Sequence, residues 1–490
     1  MQSWDHEADI VIVGYGGAAA AAALTARRMG QSVIVIEKQA AGRHTPSTRM
    51  SGGLIMAATD AGKAAQYLDQ CAGGMVPMSL SRVWGQRCTT LIAWLNEVCP
   101  GLDLAKIGGA EHRALAGADT MEVYQPGGAK FRLDPDAGSG RMLFAALAAA
   151  VDKAGARVLW ETPAQRLIRS GARGVVEGVE AVSGGKTVRV RGRKGVVLAC
   201  GGFEFDEPTK RDFLRAYPMY FYGNPGNTGD GLRMAQEVGA GLWHMNQMVG
   251  RAIGRWELPD GSSLAFIIVI GPPGYVITDR YGKRFANETM QAQLLHGFYY
   301  KLLDYDPDKG IYPRVPCYWF FDEKRRKAGP LTLLNLGVCS VGLYDWSPDN
   351  SREIDSGWIL KGNSIAEVAA AAGIEDAAAA EASVHAHNQA CRNGTPDAYE
   401  RPRETMIPLE GPPYYCVKLW PGGSNTTGGP QRDEHARVLD VFGAPIPGLY
   451  CAGELGQPSG MQYPADGSNL SEAFAFGQIA VEEIVAAAGR

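Results

Sequence analysis

The feature that most constrains this chain lies at its start. Residues 9–13 are a short apolar run, Gly14-Tyr15-Gly16-Gly17-Ala18-Ala19 follows at once, and alanines continue towards Met29. An apolar strand, a glycine turn and a helix of small residues form the first half of a βαβ unit. A second apolar run, 32–36, ends at Glu37 and Lys38 and completes the unit. The G-x-G-x-x-A pattern gives these residues separate tasks: Gly14 permits the tight turn, Gly16 lets the backbone approach a pyrophosphate, and Ala19 allows close helix–strand packing. Gly17 and Ala18 open the helix, whose N-terminus presents its positive end to the phosphates. Glu37, about 20 residues past the first glycine, is placed to accept hydrogen bonds from an adenosine ribose. A glycine turn alone can be merely structural. Strand, helix, second strand and terminal acid together read as a dinucleotide site.

The chain has 490 residues, beyond the roughly 250 to 300 at which a single core stops growing, so two domains are expected. Its 46% hydrophobic and 20% charged residues are those of a folded globular protein. A net charge of −4 without a basic stripe argues against nucleic acid and against an anionic membrane surface, leaving a small molecule as the expected partner. The nine cysteines include no C-x-x-C pair, which argues against zinc, an iron–sulfur cluster and attached haem. MQSWDHEAD carries acids where a signal peptide needs a basic start, and no apolar run approaches the roughly 20 residues of a membrane span. The expectation is a cytoplasmic protein with no membrane span.

Further along, 195–199 (GVVLA) reads as a buried central strand running into Cys200-Gly201-Gly202. From about 250 to 405 aromatics crowd together and turn-rich segments separate them, which reads as a domain inserted into the first. Within it 365–371 and 377–391 are alanine-rich helices. After 406 the glycine-rich strand-and-turn character returns, and 470–487 is a final helix. Near the C-terminus, Pro445-Ile446-Pro447-Gly448-Leu449-Tyr450-Cys451-Ala452-Gly453-Glu454 is a strand leading to a glycine and an acid, and Gly467-Ser468-Asn469-Leu470 then opens the last helix. This second helix N-terminus, with its backbone N–H groups, suits a flavin ring, whose N1 and O2 carry negative charge when reduced; FAD is favoured over NAD.

With these motifs, and with Ser47-Thr48, Ser51-Gly52-Gly53, Asn227-Thr228-Gly229-Asp230-Gly231, Gly282-Lys283-Arg284-Phe285-Ala286-Asn287-Glu288 and Gly428-Gly429 in order, the chain resembles a flavoprotein family. That family joins fumarate reductases and succinate dehydrogenases to the 3-ketosteroid dehydrogenases. The resemblance implies an α/β fold: a Rossmann-like FAD-binding domain over 1–250 and 406–490, with an inserted α+β substrate-capping domain over 251–405. It implies FAD and a two-electron reaction on a carbon–carbon bond beside a carbonyl. It also implies cofactor contacts from Thr48, Ser51, Gly52, Gly53, Ala164, Gly201, Gly202, Asn227, Asp230, Gly453, Glu454, Ser468, Asn469 and Leu470.

The branches of the family differ in their active-site side chains. Where fumarate reductases carry a histidine before the Gly-Gly pair, this chain has Ser424-Asn425-Thr426-Thr427, and Thr289-Met290-Gln291-Ala292-Gln293 stands where they carry an arginine proton donor. The place of a further substrate-clamping arginine of the fumarate reductases falls near Tyr463, and this chain has no arginine there. A dicarboxylate needs such cations. Tyr463-Pro464-Ala465-Asp466-Gly467 instead resembles the 3-ketosteroid 1-dehydrogenase pattern, in which a tyrosine hydroxyl and a glycine N–H bond the ketone oxygen. Such a pair is an oxyanion hole, each preorganised donor contributing roughly 3 kcal/mol to enolate stabilisation. The bland alternative for Tyr463 is a core tyrosine.

The ketosteroid enzymes' tyrosine base after Asn287-Glu288 is absent, Met290 or Gln291 holding its place. His296, Tyr299 and Tyr300 are nearby candidates, and a histidine near 6.5 accepts a proton more readily than a tyrosine near 10. Tyr124 corresponds to the family's assisting tyrosine, although a surface turn tyrosine is an equal reading. Tyr217, Tyr220, Tyr222 and the aromatics at 318–321 suggest core or the wall of an apolar cavity suited to a ring-shaped substrate. The whole reads as an FAD-dependent dehydrogenase that desaturates an alicyclic ketone, steroid or smaller, next to its carbonyl. Its partners would be a cyclic ketone or enone and an unidentified electron acceptor. An ene-reductase of the fumarate or urocanate type and a flavin-binding protein without turnover are the rivals.

Overall fold

The computed structural model describes residues 3–127, 139–171, 173–258, 261–292, 296–333 and 344–489. Gln293 and Cys339 of the motifs and counts above lie outside them. The first apolar run becomes strand β1 (His6–Val13), whose Ile10, Val11 and Ile12 are fully buried. Such a run, apolar on both faces, belongs in the middle of a covered parallel sheet. Helix α1 (Gly17–Arg28) crosses over to β2 (Val33–Ile36), which pairs in parallel with β1. On the other side of β1 lies β3 (Lys186–Leu198), also parallel, so the GVVLA run is a central strand as its composition demands.

The second sheet is antiparallel apart from one short edge pairing and begins its long strands with β4 (Met248–Glu257). Its spine is the 13-residue β5 (Tyr414–Thr426), flanked by β4 and by Cys317–Asp322, with Ser263–Ile267 and Tyr275–Thr278 outside them. This sheet takes strands from both sides of 251–405: Tyr220–Phe221 pairs with β5, and β5 itself runs to Thr426. Helices Ile365–Ala372 and Ala377–Asn393 cover one face, packing on Tyr318 and Phe320, while Trp319 and Phe321 join the cluster on the other. Strand alternation thus sends the aromatic run to two cores. None of its rings is among the residues that line the cavity at the edge of the first sheet.

After β5 the chain returns to the first sheet as β6 (Pro445–Cys451), parallel to β3, and ends in helix α2 (Ser468–Ala488). The order Arg437–Leu439, β6, β3, β1, β2, Arg157–Leu159 brings the C-terminal ends of five parallel strands to one edge. Open parallel sheets bind their ligands at this edge. Helices α1 and α2 touch backbone to backbone, since a Cβ on Gly477 would stand 2.5 Å from the carbonyl oxygen of Ala18. This closeness is why Ala18 to Ala23 are all small and buried. Among the described residues no helix is long and apolar enough to cross a membrane, and no cluster of His, Cys, Asp and Glu could hold a metal ion.

Candidate active site

A cavity of about 760 Å³ lies along the C-terminal edge of the parallel sheet and is closed by residues from the second sheet. Its sheet side is the glycine turn. Gly14 has φ +92°, and a Cβ there would stand 2.6 Å from the Ala199 carbonyl oxygen, so only glycine turns here. At Gly16 the nearest atom to such a Cβ is 3.8 Å away, which leaves the backbone open to a phosphate. The Gly17 N–H donates to Thr48 Oγ1 at 2.8 Å, so one of the helix's first donors is held by protein.

Glu37 closes this end. Its carboxylate accepts from the N–H groups of Tyr15 at 2.9 Å and Gln39 at 2.8 Å, and the His44 imidazole is 3.6 Å away. Burial pushes its pKa up, yet the bonds from His44 and the two N–H groups outweigh burial and hold it below the usual value. It therefore stays an anionic acceptor. Lys38 Nζ reaches Asp230 at 2.5 Å and Thr228 at 2.9 Å. Glu454 accepts from Asn227 Nδ2 at 3.1 Å, and burial together with nearby Glu204 raises its pKa.

At the other end three distant segments converge. Tyr463 is half-buried, and its carbonyl accepts from His112 Nε2 at 3.0 Å. Pro464 O accepts from the Glu111 N–H at 3.3 Å and from the Tyr67 hydroxyl, so the 463–467 loop is strapped to residues 111–112. The Tyr463 hydroxyl lies beside Ser468 and the Asn469 N–H, where burial and the charge of Asp466 push its pKa up to about 12. It is a proton donor at neutral pH. Gly467 has φ +88° and a Cβ there would stand 2.6 Å from Ile55 N, while its own N–H has no protein acceptor among the described residues.

His296 stands edge-on to Tyr463, ring centroids 4.4 Å apart. Its Nδ1 is 2.9 Å from Glu111 Oε2, and Arg251 Nη2 is 2.5 Å from its Nε2. A guanidinium only donates, so Nε2 accepts and Nδ1–H donates to Glu111. Burial and then Arg251 lower the imidazole pKa, with Glu111 opposing them. The histidine is neutral, with the Nε2 lone pair as its basic position.

Residues 9–470 match the model of the FAD binding domain family. The chain belongs to this family. Its cofactor is FAD, and the glycine cradle, Glu37 and the continuous cavity are the shapes and charges an adenine dinucleotide needs. The chain is 31% identical over 383 residues to a 3-oxosteroid 1-dehydrogenase of Mycobacterium tuberculosis, a match covering 72% of this chain and 64% of that protein, less than two thirds. It is 29% identical over 554 residues to a 4-oxocyclohexanecarboxylate 2-dehydrogenase of Sinomonas cyclohexanicum, covering 96% of this chain and 92% of that one. Its fold is that of a 3-ketosteroid delta1-dehydrogenase from Sterolibacterium denitrificans in complex with 1,4-androstadiene-3,17-dione, at TM-score 0.83 and 22% identity, covering 98% of this chain and 100% of that chain.

Of the flavoprotein residues expected from sequence, Gly14, Gly16, Gly17, Ala18, Glu37, Lys38, Thr48, Ser51, Gly52, Ala164, Gly201, Asn227, Asp230, Gly453, Glu454, Asn469 and Leu470 line the cavity. So do Tyr463, Gly467 and His296. Ala19, Gly53, Gly202 and Ser468 stand behind the wall. Tyr124 is a correction: it sits in strand Met121–Gln125 with its hydroxyl donating to Glu122 at 2.9 Å, and alternation turns Gln125 into the cavity instead. Gln291 bonds Ala252 N and O at 3.0 Å, and Tyr299 is buried against Met219. Tyr222 lines the cavity, whereas Tyr217 is exposed. Sequence reasoning missed Glu111 and Arg251. A lone charge inside the apolar strand segment 248–253 was a readable signal for Arg251, whereas Glu111 comes from a polar loop with no signal.

Proposed function

We propose that the protein is a dehydrogenase that introduces a carbon–carbon double bond next to the carbonyl of an alicyclic ketone, a 3-ketosteroid or a smaller cyclohexanone-type ring. The observation that carries this reading is the convergence of Tyr463, Gly467 and His296 on the flavin's own cavity. A ketone oxygen between the Tyr463 hydroxyl and the Gly467 N–H is polarised by two preorganised donors, which makes the α-proton acidic and stabilises the enolate. His296 Nε2 takes that proton. Glu111 fixes the tautomer through Nδ1–H and stabilises the imidazolium that forms, so it acts through His296 as a positioning residue. When bound, FAD supplies the acceptor for the hydride that leaves the β-carbon. The α C–H bond gives its proton to the protein, the β C–H bond gives its electron pair to the cofactor, and the double bond forms between the two carbons.

A second reading, an ene-reductase of the fumarate or urocanate type, is favoured by Arg251, a cation in the cavity wall that supplies what Ser424 to Thr427 and Tyr463 do not. One anaerobic experiment separates the two. Ring ketones are mixed with the oxidised holoprotein, enones and unsaturated acids with the reduced one. The dehydrogenase reading expects ketones to bleach the flavin and leave a product two hydrogens lighter. No bleaching by any ring ketone, with reoxidation by unsaturated acids, would establish the second reading.

A further inference from the structure

Two neighbouring acids stand at the flavin cavity, and the dehydrogenation above gives neither a task. Glu204 follows β3 and the Gly201-Gly202 pair and is 1% exposed. Its Oε1 accepts from the Thr426 N–H at 2.7 Å and from the Thr426 hydroxyl at 2.9 Å, while its Oε2 is buried without a partner. That hydroxyl itself accepts from the Phe203 N–H at 3.1 Å, so its single proton points at Glu204. Glu454 follows β6 and is a half-buried part of the cavity wall. Its Oε2 accepts from Asn227 Nδ2 at 3.1 Å and from the Ser47 hydroxyl at 3.3 Å, which leaves Oε1 for the cavity. Asn227 lies beside both acids. The glycine pair makes room for them: a Cβ on Gly202 would stand 2.4 Å from Glu204 Oε1, and one on Gly201 2.5 Å from Asn227 Oδ1.

The charges around the two acids are negative or already paired. Lys38 is bound to Asp230, Arg233 to Asp206 and Asp230, and Arg432 to Glu472 of α2. Cys200, next to the glycine pair, is a thiol, pushed up to about 12 by burial. Among the described residues no cation bonds Glu204 or Glu454, and two neighbouring carboxylates so placed do not both ionise. Burial raises the Glu204 pKa in spite of Thr426, and burial followed by the charge of Glu204 raises that of Glu454. Bound FAD acts twice in the same direction. It replaces the water that reaches Glu454 from the cavity, and its pyrophosphate brings two negative charges.

We propose that Glu204 and Glu454 hold one proton between them, and that Glu454 meets FAD as a neutral O–H donor instead of an anionic acceptor. Glu204 acts through Glu454 as a positioning residue, its charge fixed by Thr426 and keeping the proton on its neighbour. Glu37 is the contrast in the same cavity, an anion because His44 and two N–H groups bond it. The consequence is a cofactor site linked to pH. The pair holds its proton more tightly with FAD present than without. FAD affinity is therefore complete below the pKa of the pair in the FAD-free protein and is lost as pH rises towards its pKa in the holoprotein.

The test dilutes the holoprotein at a series of neutral and alkaline pH values and reads released FAD by its fluorescence, with thermal melting at each pH to separate release from unfolding. The wild type should weaken by about tenfold in Kd per pH unit over part of this range, the slope of one proton. Glu204→Gln removes the neighbouring charge, so the fall should begin at lower pH. Glu454→Gln carries an amide donor in place of the acid and should keep FAD at alkaline pH where the wild type loses it. The infrared spectrum of the wild-type holoprotein should show the carbonyl stretch of a protonated carboxylic acid that Glu454→Gln lacks. A wild-type Kd that does not change with pH, or the absence of that stretch, would overturn the proposal without any variant. A fall at the same pH in Glu204→Gln would remove Glu204 from it, and a Glu454→Gln protein that melts normally yet loses FAD ahead of the wild type at every pH would show that the cofactor needs the carboxylate.

Discussion

At the residue scale the account turns on one imidazole. His296 is held neutral by burial and by Arg251, and a base must be neutral to work. Flavin reduction is therefore expected to be level around neutral pH and to fall only as pH drops through an apparent pKa below the ordinary 6.5. Replacing Glu111 by Gln removes the charge that raises the imidazole pKa, so the acid limb should move to still lower pH while the plateau rate falls. Stopped-flow reduction across pH checks both, and an unmoved limb would show that Glu111 does not act through His296. His296→Gln should lose about a hundredfold or more in the same measurement, the usual worth of a positioned base. What was legible here followed chain distance. Gly14, Glu37, Tyr463 and Gly467 owe their roles to local geometry, a turn or a helix start, and the motif spacing carries it. Glu111 and Arg251 reach His296 from segments far away in sequence, which no local pattern encodes. Tyr124 went astray because its loose match said nothing of the strand register that turns it from the cavity.

At the element scale α2 carries much of the site, and two substitutions probe how it is held. Gly467→Ala puts a Cβ 2.6 Å from Ile55 N at φ +88°, which should cost about 1 to 3 kcal/mol and reduce FAD content. Thermal melting and flavin-to-protein ratio report it, and a variant with unchanged melting and flavin would contradict the strain. Deeper in α2, Glu472 pairs with Arg432, both side chains fully buried, and Arg432 Nη1 also donates to the Cys451 carbonyl of β6 at 2.7 Å. Burial keeps the Glu472 pKa up at about 7 despite its partner. Arg432→Met leaves that carboxyl stranded and should destabilise by about 3 to 5 kcal/mol in denaturant unfolding, whereas Arg432→Met with Glu472→Leu should recover most of the loss. The helices at 365–371, 377–391 and 470–487 were readable because periodicity and caps are local; Asp376, for instance, accepts from Ala379 N at 2.8 Å. The second sheet was harder. Its strands β4 and β5 pair across a long stretch of chain, and nothing in either segment names its partner.

At the scale of the whole molecule the chain closes on itself: β6 and α2 return to the first sheet, and Arg251 from the second sheet and His296 from the turn before the helix Phe298–Leu302 complete the cavity. FAD bound across this closure stabilises the folded protein by mass action, about 2.7 kcal/mol at a hundred times its Kd. Glu37→Ala should accordingly release FAD on dilution and lower the melting temperature of the holoprotein towards that of the apoprotein, with added FAD restoring it. Retention equal to wild type would remove Glu37 from the ribose. The central claim is that Tyr463 polarises a substrate ketone, and stopped-flow flavin reduction by the best ketone under anaerobic conditions tests it most directly. Tyr463→Phe keeps the ring against His296 and deletes the donor, so the account predicts reduction slowed about a hundredfold or more with FAD content intact. Reduction at nearly the wild-type rate would contradict it, because Gly467 alone would then suffice and the tyrosine would be a wall.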